Sequence, residues 1–319
     1  MKKINLLIVH HGALGDVVAT FPIITRLKKN YGRTDILCQL KLGELAQSLH
    51  VVDTHFSLES AIFASLFTDN VDPMVKSILC SYEVVLLFSN SVQLESVIGN
   101  ITEKPVYRIS PKPGIKSNIH ITDHILSQLA SYRPFGSIAA RTSHSALLPH
   151  NHPDRRDPQY DPLKIVLHPG AGSIKKCWPV SNFINLASLL NSKGKQTVFV
   201  LGPAEHDMAE TLERQDEHKS NIFKIDNLIQ LASILKTAGG FVGNDSGVSH
   251  LAAFIGLPTV VVFGPSDPVI WKPTGRSVCI IRPDLDCEPC FETNNRRKEL
   301  ECFDGTTPKM VLDALMQRI

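Results

Sequence analysis

The sequence predicts an α/β protein built from two doubly wound domains, and three observations carry that prediction. The chain opens with an apolar, β-prone run, residues 4–9, then a glycine-bearing loop and a helical pattern. The same alternation restarts after residues 149–162, a proline-rich polar stretch with no apolar periodicity. Strand candidates such as 82–88 and 259–263 are nearly continuous apolar runs, the pattern of strands covered on both faces.

In the first half, residues 17–30 carry a helical pattern that Gly32 follows, with Pro22 as a kink or a delayed start. Residues 35–40, 82–88 and 106–109 read as strands. Residues 41–49, 58–67, 71–79, 92–98 and 120–132 read as helices. In the second half, strands are expected at 164–167, 196–201, 222–225, 259–263 and 278–281, and another ends at Phe241-Val242. Helices are expected at 179–190, 204–215, 228–237, 248–255 and 308–318. Gly256 suits the C′ position of the 248–255 helix. The domain boundary is placed near residue 155, giving 1–155, 156–305 and a terminal helical segment, 306–319.

Composition bounds the function. A chain of 319 residues with 43% hydrophobic and 20% charged residues is ordinary for a soluble globular protein. A formal net charge of +2 argues against nucleic acid as a partner. No apolar run approaches the roughly 18 residues of a membrane span. The first apolar run is only six residues, leads into His10-His11-Gly12 and lacks a small-residue cleavage site. It is therefore expected to be the first strand of a cytoplasmic protein. The seven cysteines are odd in number and mostly scattered, which fits a reducing compartment.

Residues 241–265 hold the sharpest local signal. A strand ends, Gly243-Asn244-Asp245-Ser246-Gly247 turns the chain, and a short helix begins. Free N–H groups at a helix start suit an anion such as a diphosphate. The alternative is an ordinary turn with Asp245 or Ser246 as its cap. Gly170, Ala171, Gly172 and Ser173 follow a strand and can wrap a phosphate, with Lys175 or Lys176 as a mobile cation. Gly202 to Asp207 closes a third strand, where the carboxylates Glu205 and Asp207 meet ribose hydroxyls or simply enrich a helix start in acid. Asp16 ends the first glycine loop, as a cap or as a general base. His120 and His124 lie four apart on a helix without a metal-ligand pattern. Cys287-x-x-Cys290 with Cys302 reads as a zinc site or as buried or reactive thiols; a fourth ligand is not evident, so the thiol reading is preferred. No metal and no cofactor are expected. Lys112 and Lys116, in a basic proline-rich loop, and the nearby His120 are candidate acceptor contacts. Arg296-Arg297-Lys298 is a solvated turn or a peripheral contact with an anionic membrane face. Neither the dinucleotide fingerprint nor a Walker sequence is present.

Three stretches in order resemble the motifs of glycosyltransferase family 9, which contains the ADP-heptose:lipopolysaccharide heptosyltransferases. They are Gly15-Asp16-Val17 with Pro22 and Leu27-Lys28; His168-Pro-Gly-Ala with Lys176-x-Trp178-Pro179; and Gly243-Asn-Asp-Ser-Gly-x-x-His250 with Gly256-x-Pro258 and 263–268. The resemblance implies a GT-B fold, two Rossmann-like domains facing a central cleft, with the sugar donor bound mainly by the second. It implies an inverting, metal-independent transfer, with Asp16 as base, Gly15 and His250 at the donor, and Lys176 on its phosphate. It also implies that helix 308–318 packs back on the first domain. Asp245 is expected to hold its own loop or meet a donor hydroxyl. The implied partners are ADP-heptose and a lipid A–core acceptor at the inner face of the cytoplasmic membrane. Two alternatives stay open: a GT-B nucleotide-sugar epimerase, and a nucleotide-sugar-binding protein without turnover.

Overall fold

A computed structural model of the chain describes residues 4–68, 70–114, 117–142, 147, 157–214, 221–283, 289–291 and 302–319. The chain forms two units, Met1–Gly114 with Ile121–Leu147, and Ile115–His120 with Leu148–Ile319. The expected boundary near residue 155 and most of the expected linker lie outside the described residues.

The first unit has strands β1 (Asn5–His10), β2 (Arg33–Cys38), β3 (Thr54–Ser57), β4 (Val84–Phe88) and β5 (Val106–Ile109). All pairings are parallel, in the order β3-β2-β1-β4-β5. Its helices are α1 (Leu14–Lys28), α2 (Leu40–Ser48), α3 (Ala61–Ala64), α4 (Pro73–Cys80), α5 (Val92–Thr102), α6 (Ile121–Ala130) and α7 (Arg133–Ala140). Residues 6–9 of β1 and all of β4 are buried, as their unbroken apolar runs require. Helix α1 starts three residues earlier than expected and runs through Pro22. The proline removes the ladder bond to the Val18 carbonyl. Burial of Val17, Val18, Phe21, Ile23 and Ile24 holds the helix together regardless. The single helix expected at 58–67 is instead α3 followed by a 3₁₀ turn, preceded by the unexpected edge strand β3. Thr54-His-Phe-Ser is only half-buried, so it shows no apolar run.

The second unit has β6 (Asp161–His168), β7 (Gln196–Leu201), β8 (Ile222–Lys224), β9 (Ala238–Asn244), β10 (Thr259–Val262) and β11 (Val278–Ile281). These are again all parallel, in the order β11-β10-β9-β6-β7-β8. Its helices are α8 (Val180–Ser192), α9 (His206–Glu213), α10 (Leu228–Lys236), α11 (Gly247–Ile255), α12 (Pro268–Trp271) and α13 (Pro308–Met316). Strands β6 and β9 approach so closely that a Cβ on Gly239 would lie 2.3 Å from the Pro162 carbonyl oxygen. The terminal helix belongs to the second unit. Val311, Leu312 and Leu315 of α13 pack with Leu186, Leu190, Val260 and Val262 in the core of the second unit. Its buried apolar face is occupied there.

Both sheets have Rossmann-like order, and each reverses its winding at one point: between β1 and β4, and between β6 and β9. Loops leaving the carboxyl ends of strands at such a point form the usual ligand crevice of a doubly wound sheet. Among the described residues no helix is long and apolar enough to cross a membrane.

Candidate functional site

In the first unit the loop after β1 carries Asp16. Register pairs His10 with Phe88, and the two rings stack with centroids 5.0 Å apart. The Gly12 N–H donates to His10 Nδ1 at 3.0 Å, which fixes that nitrogen as an acceptor. Burial, helped by neighbouring His11, pushes the His10 pKa down to about 3, against a smaller opposing effect of the Asp16 backbone. Asp16 sits in the first turn of α1, where Oδ2 accepts the Ala13 N–H at 3.2 Å. A Cβ on Gly12 would lie 2.7 Å from both Asp16 Cβ and His10 Cε1, so only glycine fits between them. Across the switch point, Ser89 Oγ lies 3.3 Å from His11 Nε2. The carboxylate is half-buried, held at a fixed place and next to a neutral imidazole.

In the second unit the loops after β6 and β9 meet. Lys176 ends a 3₁₀ turn that Ser173 caps, its hydroxyl accepting the Lys175 N–H at 3.4 Å. Lys176 Nζ donates to Asp245 Oδ2 at 2.8 Å and sits 4.2 Å from the centre of the Phe291 ring. The two charged side chains are 18% and 7% exposed, so the pair is largely removed from water. Asn244, fully buried, donates from Nδ2 to the Pro169 carbonyl at 2.7 Å and accepts the Trp178 N–H at 3.0 Å. Ser246 caps α11, and the Ser249 hydroxyl donates to the Asn244 carbonyl at 2.6 Å. The first N–H groups of a helix lack intrahelical partners, so this end attracts an anion beside the ammonium of Lys176.

A cavity of about 280 Å³ opens beside these loops, at the ends of β7 and β8. Leu201, Pro203, Ala209 and Ile225 give it apolar walls, with Glu205, His206, Lys224 and Asp226 as polar groups. Glu205 is buried, and its Oε2 accepts the Gly202 N–H at 2.6 Å. A Cβ on Gly170 would lie 2.3 Å from Glu205 Oε1. His168 donates from Nδ1 to the Val200 carbonyl at 2.9 Å, and burial pushes its pKa down.

The structure thus gathers Gly170, Lys176, Gly202, Glu205, Asn244, Asp245, Ser246 and Gly247 around the β6–β9 switch point. Ala171, Gly172 and Ser173 lie on the same loop, and Gly172 is exposed with open space around it. His250 is buried on α11. Gly15 and Asp16 belong to the first unit. Two expectations need correction. Asp245 accepts from Lys176 of the other loop rather than from the N–H groups of its own. Asn244 is shielded from any ligand, since its amide is spent on backbone. On the acceptor side, Lys112 is exposed and Lys116 lies outside the described residues. His120 is not an open contact: it is buried, and Nε2 donates to the Lys272 carbonyl at 2.8 Å. Cys287 and Arg296-Arg297-Lys298 lie outside the described residues. No group of three His, Cys, Asp or Glu among the described residues is placed to hold a metal. Sequence reading missed His10 and Phe291. The first shows only as a histidine ending an apolar strand, and the second is hidden in the cysteine-containing stretch.

A family model described as glycosyltransferase family 9 (heptosyltransferase) matches residues 127–301, over half of the chain. The chain is 30% identical over 118 residues to lipopolysaccharide heptosyltransferase 3 of Escherichia coli K12, covering 36% of this chain and 34% of that one. It is 30% identical over 169 residues to lipopolysaccharide heptosyltransferase 1 of Pseudomonas aeruginosa, covering 48% and 47%. These matches span about a third to a half of the curated relatives' length. The solved structure of E. coli ADP-heptose LPS heptosyltransferase II superposes with a TM-score of 0.71 at 18% identity, covering 99% of both chains. It shares the GT-B architecture of two Rossmann-like domains.

Proposed function

The chain belongs to glycosyltransferase family 9, the heptosyltransferase family, and from that membership we propose that it moves a heptose from ADP-heptose to a lipopolysaccharide inner-core acceptor. The observation that carries the reading is the Lys176–Asp245 pair at the start of α11, on the switch point of the second sheet. The sugar donor's diphosphate lies against the α11 N-terminus and Lys176. An ammonium has three N–H donors, so Asp245 can keep one while phosphate oxygens take the others. Before the donor arrives, Asp245 and the Phe291 ring hold the lysine in place. The adenosine occupies the cavity at the ends of β7 and β8, whose apolar walls suit a base and whose carboxylates suit ribose hydroxyls.

In the reaction the acceptor hydroxyl attacks the anomeric carbon from the face opposite the diphosphate. Asp16 takes the hydroxyl proton, the bond from the anomeric carbon to the phosphate oxygen breaks, and ADP leaves with inversion. Lys176 and the helix N–H groups stabilise the charge that develops on the leaving oxygen, so the step runs without a metal. Burial pushes the His10 pKa down to about 3, so the imidazole beside Asp16 is neutral. The acceptor is a lipid A–core molecule met at the cytoplasmic membrane face, with Lys112 among its contacts. The test is Asp16→Asn. ADP affinity should stay within about twofold while transfer falls by at least about 10²-fold, the usual worth of a general base. Full transfer activity in that variant removes Asp16 from the mechanism.

A further inference from the structure

We propose that Asn244 is a positioning residue, whose buried amide clamps both feet of the Lys176 loop and so sets where the lysine meets the sugar donor's diphosphate. The inference rests on the reading of Lys176 as the phosphate contact.

Asn244 is the last residue of β9, paired with Val262 of β10, and is 0% exposed. Its side chain reaches across the switch point to the loop that follows β6. Nδ2 donates to the Pro169 carbonyl at 2.7 Å, with the Gly170 carbonyl 3.5 Å away. Oδ1 accepts the Trp178 N–H at 3.0 Å. One amide therefore fixes the first residues of the loop and the residue two beyond Lys176. Its own carbonyl accepts the Ser249 hydroxyl at 2.6 Å, which ties the first turn of α11 to the same point. Asp245 is the next residue in the chain, and its 2.8 Å contact with Lys176 follows from this arrangement. The anion site has two halves, a lysine on one loop and a helix start on another. Asn244 is bonded to both.

The chemistry requires an amide. The Pro169 carbonyl needs a donor and the Trp178 N–H needs an acceptor, at one reach and in one plane. Leucine, similar in volume, would leave both backbone groups buried and unpaired. An ionised aspartate would set a carboxylate oxygen against the Pro169 carbonyl. A protonated one presents one donor and one acceptor in nearly the same places.

The test measures ADP affinity by calorimetry in a double-mutant cycle of Asn244→Ser and Lys176→Ala. Asn244→Ser should weaken ADP by about tenfold in the parent and by less than about twofold in the Lys176→Ala background. Equal effects in the two backgrounds, or unchanged affinity in folded Asn244→Ser, overturn the inference. If Lys176→Ala alone leaves ADP affinity unchanged, the phosphate reading fails and the inference falls with it. Should Asn244→Ser not fold, Asn244→Asp decides. Relative to the parent at each pH, its ADP affinity should be near normal at about pH 5.5 and at least about tenfold weaker at about pH 8.5. The ratio cancels titration of ADP and of Lys176, Asp245, His168, Glu205 and Cys177 nearby. A ratio independent of pH contradicts the clamp.

Discussion

Replacing Lys176 by methionine separates the two things this lysine does. Asp245 Oδ2 sits 2.8 Å from Nζ, and the aspartate side chain is 7% exposed. Without its partner that carboxylate is a nearly buried charge with little access to water. Breaking a fully buried pair costs about 3–5 kcal/mol. Lys176 itself is 18% exposed, so the expected loss is lower, about 2–3 kcal/mol. Asp245→Asn in the same chain removes the orphaned charge and should recover at least half of that loss. Binding should behave differently. Hydrogen bonds to a charged group contribute about 1.5–3 kcal/mol, so ADP affinity should fall roughly 10- to 150-fold in Lys176→Met. It should not return in the double variant. Urea unfolding followed by far-ultraviolet dichroism gives the stability, and calorimetric titration with ADP gives the affinity. A loss of stability below about 0.5 kcal/mol in the single variant would mean the pair is no more than a surface contact. Recovery of ADP affinity in the double variant would mean that Lys176 does not touch phosphate.

Acid stability should reflect His10. Its folded pKa of about 3 lies below the unfolded value near 6.5, so the unfolded chain binds the extra proton. Stability is therefore fully present above pH 6.5 and lost as pH falls, by about 1.4 kcal/mol per pH unit for each such histidine. His168, also pushed down by burial, adds to the slope in the same direction. His10→Gln should flatten the slope of urea-unfolding stability between about pH 6.5 and 5, and an unchanged slope would exclude this origin. Gly170→Ala should drive a methyl into the Glu205 carboxylate and loosen its bond to the Gly202 N–H. A stability loss of about 1–3 kcal/mol, relieved in part by adding Glu205→Ala, is expected from urea titrations.

Much of this fold can be read from the sequence because its strands are buried on both faces. The runs in β4 and β10 leave little else for the chain to do there. Strand β3 escapes notice because it lies at a sheet edge, half-buried and polar. The partners of helix α13 are hidden for another reason. Its apolar stripe shows that it packs, and only tertiary structure shows that Leu186 and Leu190 receive it. At the site, the glycine loops stand out after their strands, as phosphate cradles or as ordinary turns. The Lys176–Asp245 pair does not, because 69 residues separate the partners and nothing local links them. The same holds for Asn244, which looks like one more polar residue in a loop motif but is a buried brace.

The central claim is tested most directly by product analysis of the transfer itself. The purified chain is incubated with ADP-heptose and a core-truncated lipid A acceptor, and the acceptor is followed by mass spectrometry and the new linkage by nuclear magnetic resonance. The account predicts one added heptose, released ADP, an anomeric configuration opposite to that of the donor, and no product from Asp16→Asn. Transfer from a different nucleotide sugar but not from ADP-heptose, or a linkage that retains the donor's configuration, would contradict it.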